Sequence, residues 1–230
     1  TAYEIPKRDW SSDVCSSDLL ATLIGDFIGY AVRTDSPIVN ARDYLERLKK
    51  DPAALANGIT ALGGNNHIAL VLAAKSAGID TKRLKTPVFQ SAADSVTALL
   101  GGHIDVHLGS VGILAKQLEA GRVRILAVTS EQRLTGVLAK VPTWKERGVN
   151  GTFNTWRGVW GAKNLTPEQI AFWDDALEKI SRDPLWRENL AANLWESDYR
   201  NARDTQRYLD QLHGELRDVL KELGLAKKLD

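Results

Sequence analysis

The sequence predicts an α/β fold, and three observations carry that reading. Short apolar segments alternate with stretches of helical length, small turns rich in Gly, Asn and Ser separate them, and the alternation runs three times in succession between Gly58 and Ala120. Strands alternating with helices of this length imply a parallel or mixed sheet covered by helices. Crossovers between parallel strands are then right-handed. The composition fits: 230 residues, 43% hydrophobic and 26% charged, make one large domain or two small α/β lobes. That balance excludes a wholly disordered chain. The net charge is only +1, with Lys and Arg scattered along the sequence. No basic stripe exists to neutralise phosphates, which speaks against a nucleic-acid partner. No apolar run approaches the roughly 20 residues needed to span a bilayer.

Taken in order, the first element to justify is one to set aside. Asp9 to Leu19 reads DWSSDVCSSDL, which matches one reading frame of a common sequencing-library adapter along its whole length. The run is left out of fold reasoning, and with it Cys15, the only cysteine. The apolar stretch LLATLIGDFIGYAVRTD then reads as one or two strands ending at Thr34, before the Ser36-Pro37 break. Asn40 reads as the N-cap of a helix to about Lys50, closed by Asp51-Pro52.

The three strand–turn–helix units follow. In the first, a strand Gly58–Leu62 and the turn Gly63-Gly64-Asn65-Asn66 lead to a helix from about His67 to Ala77. In the second, Thr86–Phe89 and Gln90-Ser91 lead to a helix ending at Leu100, stopped by Gly101-Gly102. In the third, Ile104–Leu108 and Gly109-Ser110 lead to a helix ending near Ala120. Arg122 to Thr129 adds a strand, and Thr152 to Ala162 an extended segment holding Trp156 and Trp160. Thr166-Pro167-Glu168-Gln169 has the form of a capping box with Pro at the first position. Its helix should reach about Ser181, with Ile170, Trp173, Leu177 and Ile180 on one face. Trp173, Trp186 and Trp195 read as core or helix-packing residues. Asp183-Pro184 starts another helix, and a long one runs from about Asn201 to Leu223 before Gly224.

The chemistry points to the turns. All three should lie at the carboxyl edge of the sheet, where open α/β folds bind ligands. Helix starts there offer unpaired N–H groups and a positive dipole end, which suit an anion. Gly63 and Gly64 admit close backbone approach, and Asn65, Asn66, Ser91 and Ser110 can add hydrogen bonds. A carboxylate can thus be held without a buried Lys or Arg. The plainer reading stays open at each place: tight turns for the glycines and ordinary N-caps for Ser91 and Ser110. His67 fits a ligand contact, a base or a cap. The G-x-G-x-x-G spacing and the P-loop Lys are absent, and no G-x-S-x-G elbow supports a serine hydrolase. His103 and His107 would share one strand face, but no third ligand lies near, so no metal is expected.

Five stretches carry a family resemblance: HIALVLAAKSAGID, SVTALLGGHIDV, LEAGRVRILAVTSEQRL, VPTWKERGV and NTWRGVWGAKNLTPEQ. In this order they resemble the tripartite tricarboxylate transporter receptor family (TctC/Bug), with likeness from Leu23 to Leu225. The resemblance implies a two-lobed periplasmic-binding-protein architecture of the Venus-flytrap, type II kind. It implies a periplasmic receptor that captures a small organic acid for the membrane components of a tripartite transporter. No catalysis and no cofactor come with it, and such receptors act as monomers. It carries ligand contacts over to Gly64, Asn65, Asn66 and His67, and less directly to Ser91 and Ser110.

The same resemblance divides the chain into a lobe-one remnant and crossover over 1–30, lobe two over 31–150, and a return to lobe one over 151–230. The family's signal peptide, first strand and first glycine-rich ligand loop have no counterpart, so lobe one is expected to be incomplete. The helices after Thr166 should then expose an apolar surface, with weak ligand binding and aggregation following. Two other readings compete. One is a LysR-type effector domain, which needs a helix-turn-helix upstream; the other is a small hydrolase built on His67.

Overall fold

The computed structural model describes residues 17–225; Asp9 to Ser16 of the adapter-like run, Cys15 included, lie outside them. Two compact units divide the chain, Asp26–Thr155 forming one (the central unit) and its two flanks the other (the flanking unit). The long strand β1, Ser17–Arg33, begins in the flanking unit and continues into the central one. It incorporates Ser17, Asp18 and Leu19 from the end of the adapter-like run.

In the central unit β1 is joined by β2 (Asn57–Gly58), β3 (Val106–Ser110) and β4 (Val123–Val128), in the order β2-β3-β1-β4. β1 runs antiparallel to β3 and β4, whereas β2 and β3 are parallel, so the sheet is mixed. Parallel bridges from Ala56 to Lys85 and from Ile59 to Val88 place the segment before α3 beside β2. Helices α1 (Ala41–Lys50), α2 (Asn65–Ser76), α3 (Ala92–Leu100) and α4 (Val111–Glu119) complete the unit. Three strand–turn–helix passages therefore open at one edge of the sheet.

The strands depart from the expected positions for physical reasons. The first shrinks to Asn57–Gly58 plus the Ile59 bridge, because Gly63 turns left-handed at φ 73° and the chain must bend ahead of it. The second, Thr86–Phe89, survives only as bridges. The third slides two residues onward, since Asp105 uses its carboxylate to accept from the Ala56 N–H (2.7 Å) before the ladder begins. This leaves His103 in a bend outside β3, so the expected shared strand face with His107 does not form.

The interior of the central unit is built around Tyr30, Tyr44 and Trp144, all essentially inaccessible. Tyr30 meets Trp144 edge-on at 4.8 Å between ring centroids, and the Tyr44 hydroxyl donates to Asn57 Oδ1 at 2.6 Å. Edge-on aromatic pairs are a rigid way to fill such a volume. Buried His107 has Nδ1 2.7 Å from Ser95 Oγ, so β3 and α3 are tied by a polar pair. The ring lies along the sheet face over Gly109, where any Cβ would collide with it.

The flanking unit sets β5 (Asn154–Ala162) and β6 (Glu196–Arg200) against the first part of β1, with α5 (Pro167–Arg182), α6 (Pro184–Ala192) and α7 (Ala202–Glu222). β6 was not foreseen: Glu-Ser-Asp-Tyr-Arg has little apolar content, and its antiparallel pairing with Thr22–Gly25 supplies what its own side chains do not. Leu20, Ala21, Leu23 and Leu177 form the small core here, with Val159, Leu165, Trp186 and Tyr199 packed against it. Of the expected apolar face of α5 only Leu177 is buried. Trp173 is 40% exposed, against the core role expected of it, and its neighbour Phe172 is 65% exposed. Leu185 on α6 is equally bare.

Candidate functional site

A helix start leaves N–H groups with no partner inside the helix, and a side chain at the N-cap commonly takes one of them. Among the described residues five helices follow that rule. Asn40 accepts from Asp43 N–H, Ser91 from Asp94, Thr166 from Gln169, Asp183 from Leu185 and Asn201 from Asp204. Two do not: α2, capped by Gly64, and α4, capped by Ser110, have no side-chain cap bond. Both follow the parallel neighbours β2 and β3, at the edge where the three turns gather.

At α2 the helix begins at Asn65, two residues before the expected start, with Gly64 extended at the N-cap. Asn65 is exposed, whereas His67 is only 5% accessible. His67 Nδ1 accepts the Gly63 N–H at 2.9 Å, and burial lowers the pKa of its imidazole. Asn66 turns its amide back to donate to the Leu108 carbonyl of β3. Asn66 and His67 thus use side-chain atoms to brace the turn, the Gly64 N–H closes it onto the Ala61 carbonyl at 3.2 Å, and Asn65 presents main chain. A Cβ on Gly64 would come within 3.1 Å of Ala61 Cβ, so this close turn favours glycine.

Ser91 and Ser110 part company. The Ser91 hydroxyl is occupied twice, accepting from Asp94 N–H (3.1 Å) and donating to Asp94 Oδ2 (2.8 Å). Ser110 is the last residue of β3 and runs directly into α4. Its hydroxyl donates to Asp26 Oδ1 at 2.9 Å instead of capping the helix. Asp26 is 1% exposed and was not singled out from the sequence. The signal was there: one carboxylate in the apolar run LIGDFIG, a residue type seldom buried without a partner.

The arrangement offers main-chain donors at two neighbouring helix ends, which suits an anion. The open cavity of about 340 Å³ lined by Glu131, Lys145, Gly148, Val149, Asn150 and Thr152 contains none of these residues. No group of three metal-ligating side chains occurs among the described residues. Nor is any of their helices long and apolar enough to cross a membrane.

The family model of the tripartite tricarboxylate transporter family receptor matches residues 4–225. The chain belongs to that family. Tripartite tricarboxylate receptors are periplasmic solute-binding proteins and not an enzyme family. Among curated relatives, a UPF0065 protein of Cupriavidus necator is 26% identical over 98% of this chain and 68% of its own length. A UPF0065 protein of Agrobacterium vitis, also 26% identical, is matched over only 52% of its length. The chain thus spans between about half and two thirds of these relatives. A solved TctC solute-binding protein from Polaromonas superimposes with a TM-score of 0.75 at 26% identity, covering 90% of this chain and 70% of that one. The match confirms the expected α/β periplasmic-binding-protein fold. A structure from R. palustris, solved with adipate, has the same fold at a TM-score of 0.77 and 20% identity, covering 91% of this chain and 69% of that one.

Proposed function

We propose that this chain serves in the periplasm as a receptor for a small organic di- or tricarboxylate, which it passes to the membrane components of a tripartite tricarboxylate-type transporter. The observation that carries the reading is the pair of helix starts without side-chain caps, at Gly64 and Ser110, on the ligand edge of one sheet. The adipate-bound R. palustris structure, of the same fold, supports the ligand class. In this reading the central unit is lobe two and the flanking unit belongs to lobe one. A ligand carboxylate sits on the main-chain N–H groups at Asn65 and Asn66, with Gly64 letting it approach closely and its own N–H closing the turn onto the Ala61 carbonyl. Ser110 with Asp26 shapes the adjoining turn, and Ser91 serves its helix as a cap. The receptor works as a monomer and performs no catalysis.

Isothermal titration with adipate, malate and citrate tests this, with 1,6-diaminohexane as the cationic control. Binding of a carboxylate with a raised Tm, and none of the diamine, supports the proposal. Binding of the diamine in preference to every acid would overturn it.

A further inference from the structure

In a full capping box two arms cross: the N-cap side chain takes the N–H of the third helical residue, whose own side chain reaches back to the N-cap N–H. Helix α5 has both arms, Gln169 N–H to Thr166 Oγ1 at 3.3 Å and Thr166 N–H to Gln169 Oε1 at 2.9 Å. Helix α2 has only one. Its third residue is His67, which reaches back one position further, to the N–H of left-handed Gly63. Gly64, at the N-cap, has no side chain to supply the forward arm.

We propose that His67 is a positioning residue of the ligand turn, holding Gly63 by its N–H so that the first N–H groups of α2 stay aligned and free for a carboxylate. This rests on the receptor reading above. A forward arm would stiffen the turn equally well but would consume a donor the ligand needs; the backward arm stiffens it at no such loss. Asn66 adds the second brace, to the Leu108 carbonyl of β3, and likewise uses its side chain and leaves its main-chain N–H alone. Burial at 5% exposure keeps the imidazole neutral, the form in which Nδ1 can accept.

Two substitutions of the whole chain separate this from a mere packing role. H67L keeps an apolar body but removes the acceptor, and H67Q restores an acceptor of the kind Gln169 supplies in α5. Gly63 amide exchange and the imidazole nitrogen shifts, read by NMR without ligand, test the brace itself. Expected are an unprotonated Nδ1, Gly63 exchange about tenfold faster in H67L, and protection regained in H67Q. Adipate affinity should fall about tenfold in H67L and recover in H67Q. A proton on Nδ1 at neutral pH, or Gly63 exchange unchanged in H67L, would overturn the inference. If the unaltered chain binds no carboxylate, the receptor reading fails by itself, and the exchange result still decides whether His67 holds Gly63.

Discussion

Helices α2 and α3 begin at the same edge of the same sheet, yet they treat their first N–H groups in opposite ways. Ser91 closes α3 with a hydroxyl that both accepts from and donates to Asp94, and Ser95 on that helix is locked to buried His107. Helix α2 opens on glycine, with its side-chain braces placed beside the helix end and not over it. The difference separates anchoring from exposure of function: a capped start spends its donors on stability, and an uncapped one keeps them for a ligand.

The largest expected effect falls on the anchored side. Burial pushes the His107 imidazole down from 6.5 to about 4. Between those values the unfolded chain takes up a proton that the folded chain refuses. The stability contribution is therefore complete above about pH 6.5 and is lost progressively as pH falls to about 4. The total is about 3 kcal/mol. Thermal melts across that window should show the loss, and H107Q should flatten most of it. His67, shifted the same way, leaves a smaller residue of the slope.

Next in size is an attempt to make α2 resemble α3. In G64D a carboxylate at the N-cap takes the donors that the ligand would use. Adipate affinity should drop about tenfold by titration, while the melting temperature changes little, because the new cap bond offsets the crowding of the added Cβ against Ala61. Retained affinity would erase the distinction between the two helices. The converse, S91A, should cost about 1 kcal/mol of stability and leave affinity within about twofold. The smallest effect on folding lies at α5 and α6, both capped yet poorly covered. F172E with L185K should change stability by less than about 0.5 kcal/mol but reduce concentration-dependent light scattering. Should scattering persist, these exposed side chains are not what drives self-association.

Helix starts were the part of the fold most legible in the sequence. Asn40, Ser91, Thr166, Asp183 and Asn201 act within three residues of themselves, so local spacing suffices to place them. Strand ends were less legible because distant partners set them. β3 slides because Asp105 answers to Ala56, and β6 exists because β1 pairs with it. At the candidate site the turn residues could be named, but their division of labour could not. Whether Ser110 caps α4 or turns to Asp26 depends on a contact 84 residues away. Nor could spacing reveal that His67 would reach back to Gly63, since that follows from the left-handed backbone there.

The packing of His107 over Gly109 carries a consequence for descent. A methyl group at position 109 would strike the imidazole, and at Gly58 one would meet Ile104 and come within 2.6 Å of the Ser95 hydroxyl. These positions are therefore not independent letters. A lineage that replaces His107 by a small residue gains freedom at 109, and one that keeps the histidine must keep the glycine. Substitutions there should arrive in pairs, with the change at 107 coming first.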